Sequence, residues 1–333
     1  SRRLIIVWSQ VRVLPGPPFM VVLNTLIPIL LILLLGALLR RSGFSSRGFF
    51  QQTNRLVFWV GLPALLFYKT ASPTGGFTEA LRISLVLAGG MVCCILAALA
   101  VGILRGWSGK IKATVVQGAF RGNLAYVGLP VVLFALEDTA PSGVAWDSLA
   151  ILAIAPLIPV YNIVAVLALV GAREDRDGTP WGQRVRSVVV HAITNPLVVA
   201  CVLGVAYSFI GQPLPTAVVR TCRTVGRLAL PLALMGIGAT LSFSAISRGR
   251  GRVVTGALIK VCIGPLAGVV LAWGLHLSGP EMQISLLFLG CPTAVTSFVM
   301  AEQLGGDRDL AAGIVALSTL LSFPVLAFIL LFT

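Results

Sequence analysis

The chain has 333 residues, of which 57% are hydrophobic and only 11% charged, and its mean hydropathy is +0.97. A soluble domain carries roughly 25% charged residues, so an ordinary soluble protein is excluded. The net charge of +14 comes from basic residues in short loop clusters without interleaved aromatics, which argues against a nucleic-acid partner and for the positively charged cytoplasmic loops of a membrane protein.

Residues 1–19, "SRRLIIVWSQVRVLPGPPF", hold too short an apolar stretch to span and are broken by Pro15, Pro17 and Pro18, so they are set aside as a leader. Beyond them, apolar runs of about 20 residues recur between charged breaks, the length that crosses ~30 Å of hydrocarbon. They predict an all-α polytopic protein with ten transmembrane helices, near 20–39, 56–72, 83–104, 113–136, 148–171, 188–210, 225–243, 253–275, 282–304 and 310–332. The longest connection, 172–187 ("AREDRDGTPWGQRVRS"), divides them into five spans in 20–171 and five in 188–333.

The two halves align without a gap at an offset of 168 residues, where Pro28 meets Pro196, Pro63 meets Pro231, Pro156 meets Pro324 and Gly122 meets Gly290. Matches between apolar residues are cheap in such a chain, but helix-distorting positions in register are not. Because five is odd, the second copy enters the membrane from the opposite side, a 5+5 inverted repeat of the kind common in secondary transporters. Loop charge orients it. With both termini outside, the inner loops hold Arg40, Arg41, Arg47 and Arg55; Arg105, Lys110 and Lys112; Arg173, Arg176, Arg184 and Arg186; Arg248, Arg250 and Arg252; and Arg308. The outer segments hold only Arg2, Arg3, Arg12, Arg82, Arg220 and Arg223, so a plasma (inner) membrane protein with N- and C-termini outside is expected.

The fourth span contains "FRGNLAYVGLP" (120–130), which puts Arg121, Asn123 and Gly128 near mid-membrane. Pro130 frees the carbonyl of Tyr126 and bends or breaks the helix, with Gly122 and Gly128 adding flexibility. The ninth span is broken at matching depth by Gly290 and Pro292, and Pro292 suits the first turn of a new helix carrying Thr293, Thr296 and Ser297. Irregular backbone at that depth survives only inside protein or beside a watery cavity. Crossing broken helices 4 and 9 would aim two half-helix N-termini at one point, which suits an anion. Arg121 would add a full charge, at about 2.5–3.5 kcal/mol for an arginine so deep, and alternatively its long stem lets it snorkel. Lys260 in the eighth span reads either as a snorkelling residue or as a cavity group. Tyr126, Thr293 and Ser297 read equally as cavity liners or helix-packing groups.

No Asp or Glu falls near the middle of any predicted span, so the ionisable carboxylate that cation antiporters use is missing from the sequence pattern. His191 and His276 sit near span ends and are weak candidates for proton coupling. Six cysteines without C-x-x-C spacing predict neither disulfides nor a metal site, and no cofactor is implied. The absence of H-E-x-x-H, G-x-S-x-G and paired carboxylates argues against an intramembrane enzyme. A membrane sensor that binds ligand without flux stays open.

"FRGNLAYVGLP" (120–130), "LALPLALMGIGATLSF" (228–243) and "CPTAVTSFVMAEQLGGD" (291–307) together resemble the auxin efflux carrier family, whose bacterial and PIN-like members belong with the bile acid/sodium symporters in a wider superfamily. The resemblance covers essentially 20–333. It implies a scaffold of helices 1, 2, 6 and 7, a mobile transport domain of helices 3–5 and 8–10, elevator-type alternating access, and a homodimer. The family's crossing-point asparagine falls on Asn123, its G-[IL]-P turn on Gly128-Leu129-Pro130 and its helix-nine proline on Pro292. Many bacterial members carry Asn where this chain has Thr296, a departure that bears on one substrate hydrogen bond. The implied substrate is a small organic anion such as malate, malonate or an auxin-like acid, with a coupling proton or sodium ion as a further partner. A sodium-coupled symporter of the bile acid type is the alternative.

Overall fold

The computed structural model describes residues 18–71, 76–136, 146–172, 190, 194–241, 244–247 and 249–332. Most of the 1–19 leader, most of the 172–187 linker and His191 lie outside the described residues. Those described are almost entirely helical and contain no β-strand. Among them, Phe19–Arg41, Phe77–Leu104, Trp146–Gly171, Arg250–Gly274 and Arg308–Phe332 are long and apolar enough to cross a membrane, and shorter apolar helices cover Leu124–Leu136 and Pro196–Ser208.

Helix α1 is Pro18–Arg41. Helix α2 (Arg47–Leu56) starts at Ser46, whose hydroxyl accepts the Phe49 N–H at 3.1 Å, and runs through a π-turn at Val57–Gly61 into α3 (Leu62–Thr70). Then come α4 (Phe77–Leu104), α5 (Gly109–Phe120), a π-turn at Leu124–Gly128 leading into α6 (Leu129–Leu136), α7 (Trp146–Ile154) and α8 (Leu157–Gly171). Helix α9 (Pro196–Ser208) is capped by Asn195, which accepts the Leu197 N–H at 2.9 Å. Helices α10 (Thr216–Thr240) and α11 (Ser244–Ser247) precede α12 (Arg250–Leu258), whose π-turn at Ile259–Ile263 leads into α13 (Gly264–Gly274). The chain closes with α14 (Gly279–Gly290), α15 (Thr296–Gln303) and α16 (Arg308–Phe332).

All three π-turns end two residues before a proline: Pro63, Pro130 and Pro265. Proline has no N–H for the carbonyl four residues back, and a turn widened by one residue lets the ladder pass the gap. Pro130 therefore widens a helix that has already begun. The helical backbone itself is interrupted earlier, between Phe120 and Leu124, and again between Gly290 and Thr296. Pro292 lies in the extended link of the second interruption rather than in the first turn of α15.

The outside of the bundle is apolar, with Leu31, Leu38, Leu96, Leu104, Val270 and Trp273 exposed. Inside, small residues let helices approach to backbone contact, the packing favoured where lipid offers no hydrophobic drive. At Gly238 of α10 an added Cβ would overlap the Leu33 backbone of α1, and at Gly204 of α9 it would overlap Thr70 and the Phe67 carbonyl of α3. These contacts draw α1, α3, α9 and α10 into one group. Helix α4 instead joins α5, α13 and α14, and α7 is tied to it by Ser84, whose hydroxyl donates to Ala153 O at 2.7 Å. The Lys69–Asp147 ion pair fastens the end of α3 to the start of α7.

Gly238→Ala should therefore lower stability by about 1–3 kcal/mol, the usual effect of overpacking. Gly274→Ala, where a Cβ meets nothing within 4 Å, should leave it unchanged. Thermal unfolding of both variants in detergent checks the pair.

Candidate functional site

Every residue from Ala113 to Phe120 is buried, so α5 ends inside the protein. Arg121 (φ −75°, ψ 86°) and Asn123 (φ −81°, ψ 61°) leave helical geometry there. Their peptide groups need partners that neither water nor lipid can supply. The link between α14 and α15 provides them. Asn123 N–H donates to Pro292 O at 2.8 Å and Ala294 N–H donates to Arg121 O at 2.8 Å, an antiparallel bridge centred on Gly122 and Thr293. Gly122 suits this point because a Cβ would stand 3.2 Å from Cys291 Sγ and 3.4 Å from Lys260 Cε. The Asn123 carbonyl then accepts the N–H groups of Val127 and Gly128 at 3.1 and 2.9 Å, starting the π-turn. At Gly128 a Cβ would lie 2.8 Å from the Phe288 ring, and at Gly290 it would lie 2.8 Å from Ile329. Both glycines thus permit close packing of the resumed and ending helices.

Side chains lock the two links together. The buried Thr293 hydroxyl donates to Gly118 O at 2.7 Å, while its N–H donates to Ser318 Oγ at 3.1 Å. Gln117 Nε2 donates to Ser297 O at 2.8 Å. Lys260, 2% exposed on the π-turn of α12–α13, donates to Leu289 O at 2.6 Å near the end of α14. A cation at a helix C-terminus is well placed against the dipole and the unmatched carbonyls.

A cavity of about 460 Å³ opens beside the bridge. Arg121, Asn123 and Tyr126 line it from the first interrupted segment, Ala294 and Thr296 from the second. Leu124, Ala125 and Tyr126 open one resumed helix and Thr296 opens the other. The first N–H groups of a helix have no acceptor within it. Two positive helix ends therefore border one space. Arg121 is 7% exposed; its Nη2 donates to Asn162 Oδ1 at 2.5 Å and its Nη1 to Ser297 Oγ at 3.4 Å. Among the described residues both partners are neutral, so neither cancels the charge, and they engage two of the guanidinium's five donors.

The structure thus brings Arg121, Gly122, Asn123, Tyr126 and Thr296 to the cavity wall, with Ser297 behind Arg121. Thr293 and Lys260 do not line the cavity, and each is engaged by a carbonyl of a neighbouring segment. Asn162 and Tyr161 of α8 and Asn195 at the start of α9 line it as well, and sequence reasoning missed all three. Asn162, an amide inside an otherwise apolar run, was the signal available. Asn195 reads as a helix cap, which it also is. Among the described residues, no group of three or more His, Cys, Asp or Glu could hold a metal ion.

The apolar exterior, the membrane-length helices and the polar-edged cavity fit a membrane transport protein. A family model described as "Membrane transport protein" matches residues 21–330, and the chain belongs to that family, the one of the auxin efflux carriers. It is 26% identical over 281 residues to a "Putative malonate transporter" of Rhizobium meliloti, covering 81% of this chain and 82% of the relative. It is 29% identical over 148 residues to a "Probable auxin efflux carrier component 5b" of Oryza sativa, covering 43% of this chain but only 40% of the relative's length. Over 97 residues, 28% of the chain and 30% of the relative, it is 32% identical to an uncharacterized sodium-dependent transporter of Bacillus subtilis. These relatives are named as transporters and carriers, not enzymes, and the chain is a multi-pass membrane protein.

Thr293→Val should cost about 1–3 kcal/mol of stability by leaving the buried Gly118 carbonyl short of a donor, with little direct effect on ligand affinity. Thr296→Val should do the reverse. Melting curves recorded with and without an organic acid separate the two.

Proposed function

We propose that the chain is a secondary carrier of a small organic anion, a mono- or dicarboxylate of the malonate or malate kind, bound in the cavity beside the Gly122–Thr293 bridge. One observation carries the reading: a buried arginine with neutral partners stands where two helix N-termini border the same space. Such a site stabilises negative charge and repels cations. Arg121 offers the planar fork that matches a carboxylate. Asn123, Thr296 and the amide of Asn162 would add hydrogen bonds, and Tyr126 an apolar wall with a hydroxyl. Ser297 and Lys260 would act by positioning Arg121 and the end of α14. The name of the Rhizobium relative supports a short dicarboxylate, and that of the rice relative an aromatic acid.

In this reading the spans number ten, in two inverted sets of five, and the interrupted segments α5–α6 and α14–α15 are the fourth and ninth. The recurrence of order supports it: a long helix, a twelve-residue helix, an interruption and a short helix occur as α4, α5 and α6 and again, after the π-turn, as α12–α13, α14 and α15. The group α1, α2–α3, α9 and α10 would form the scaffold of a homodimer. Helices α4–α8 and α12–α16 would carry the site across the membrane by an elevator movement, with both termini outside the plasma membrane.

Binding of radiolabelled malonate to purified protein tests the site. A charge-assisted hydrogen bond contributes about 1.5–3 kcal/mol, so Arg121→Gln should weaken affinity about 10- to 100-fold. Asn123→Ala should weaken it less, while circular dichroism keeps its helical amplitude. Unchanged affinity in both variants would remove the assignment. A second reading, sodium-coupled symport, is favoured by the sodium-dependent Bacillus relative. Replacing sodium by choline in vesicle uptake separates them: flux should persist if coupling is to protons and vanish if it is to sodium.

A further inference from the structure

Away from the central cavity, two turns face each other across a second space of about 350 Å³. One is the end of α4. There Gly106 (φ 61°) lets its own N–H reach Ile103 O at 3.0 Å and the Trp107 N–H reach Gly102 O at 2.9 Å, which closes the helix with a glycine in the left-handed region. The other is the start of α12, where Gly249 (φ 83°) turns the chain and its carbonyl accepts the N–H groups of Arg252 and Val253 at 3.0 and 3.1 Å. The walls are Arg105, Trp107, Arg250, Arg252 and Thr255. A Cβ added at Gly249 or Gly251 would meet nothing within 4 Å, so the space is open above both glycines.

The charge there is of one sign. The three arginines are exposed and none makes an ion pair with another described residue. Three arginines lining one hollow, beside a helix N-terminus, supply the charge and the paired N–H donors that a phosphate takes. The surroundings then decide what carries it. Directly along α4 from this turn run Ile103, Leu99, Leu96 and Val92, exposed at 67%, 36%, 59% and 46%. Their spacing of four, three and four residues puts them on one face of the helix. On α12, whose start lines the hollow, Val254 and Leu258 lie one turn apart and are exposed at 40% and 44%. Trp107 is half-buried at the junction of charge and apolar stripe, the position an indole takes at a membrane interface.

We infer that this pocket holds the headgroup of an anionic phospholipid. The phosphate sits among Arg105, Arg250 and Arg252, and the acyl chains lie along the α4 stripe. A soluble phosphate would use the arginines but not the stripe. A zwitterionic lipid would bring an ammonium into a hollow lined by three cations. The inference stands apart from the substrate reading, since the two cavities share no lining residue.

Native mass spectrometry of the purified full chain tests it, after incubation with equal amounts of dioleoyl-phosphatidylglycerol and dioleoyl-phosphatidylcholine. The wild type should retain at least one phosphatidylglycerol under activation that strips phosphatidylcholine. The Arg250→Gln/Arg252→Gln variant should lose at least ten-fold of the retained fraction. Arg105→Gln, on the opposite wall, should also reduce it, while Arg40→Gln/Arg41→Gln at the end of α1 should not. The exposed positions leave the fold intact, which an unchanged melting temperature verifies, and Arg105→Gln alone carries the test if the double variant melts early. Equal retention of both lipids, equal loss in the Arg40/Arg41 variant, or displacement of the lipid by millimolar inorganic phosphate would each overturn the proposal.

Discussion

A peptide group that leaves a helix inside an apolar bundle loses hydrogen bonds that lipid cannot replace, at several kcal/mol for each group left unmatched. The site exists because two segments of this chain meet that difficulty in the same place and answer it with each other. Asn123 and Ala294 donate across to Pro292 and Arg121, so neither interruption is sustainable without its partner. Gly122 and Gly128 allow the approach, Thr293 and Gln117 reinforce it through carbonyls of the facing segment, and Lys260 holds the end of α14. The cavity is a consequence of the meeting: where two helices stop and restart, side-chain volume is missing and helix ends point inward.

The same arrangement sets the electrostatics. Desolvating Arg121 is costly, and an acidic neighbour would be the usual remedy. Its described partners are an amide and a hydroxyl, which steady the guanidinium without cancelling its charge. A ligand carboxylate can therefore complete the pairing in a way that a resident carboxylate would prevent. Together with two helix N-termini, this makes a space that is apolar over much of its wall and positive at one end, the combination that suits a small organic acid.

Much of this was legible from residue types in an apolar context. An arginine and an amide two positions apart in a membrane-length run stand out because lipid disfavours both, and Arg121 and Asn123 do line the cavity. The prolines were informative in a less direct way. Pro130 falls beyond the interruption and widens a turn, and Pro292 lies in extended chain whose carbonyl serves the bridge, so α15 begins only at Thr296. A proline reports a missing donor, and tertiary pairing decides which backbone groups are then freed. Thr293 and Lys260 show the limit of polarity as a signal. Each reads in sequence equally as a cavity group or as something else, and each is engaged by a carbonyl on a segment remote in the chain. Asn162 carried the same kind of signal, an amide in an apolar run, but it lies 41 positions from Arg121 in the chain and only the fold brings the two together.

The most direct measurement is an electron cryo-microscopy structure of the purified protein with saturating malonate. Ligand density should lie between the Arg121 guanidinium and the opening turn of α15, within hydrogen-bond reach of Arg121. Density in another cavity, or an Arg121 side chain turned toward lipid with the 121–123 and 291–295 backbone drawn apart, would contradict it.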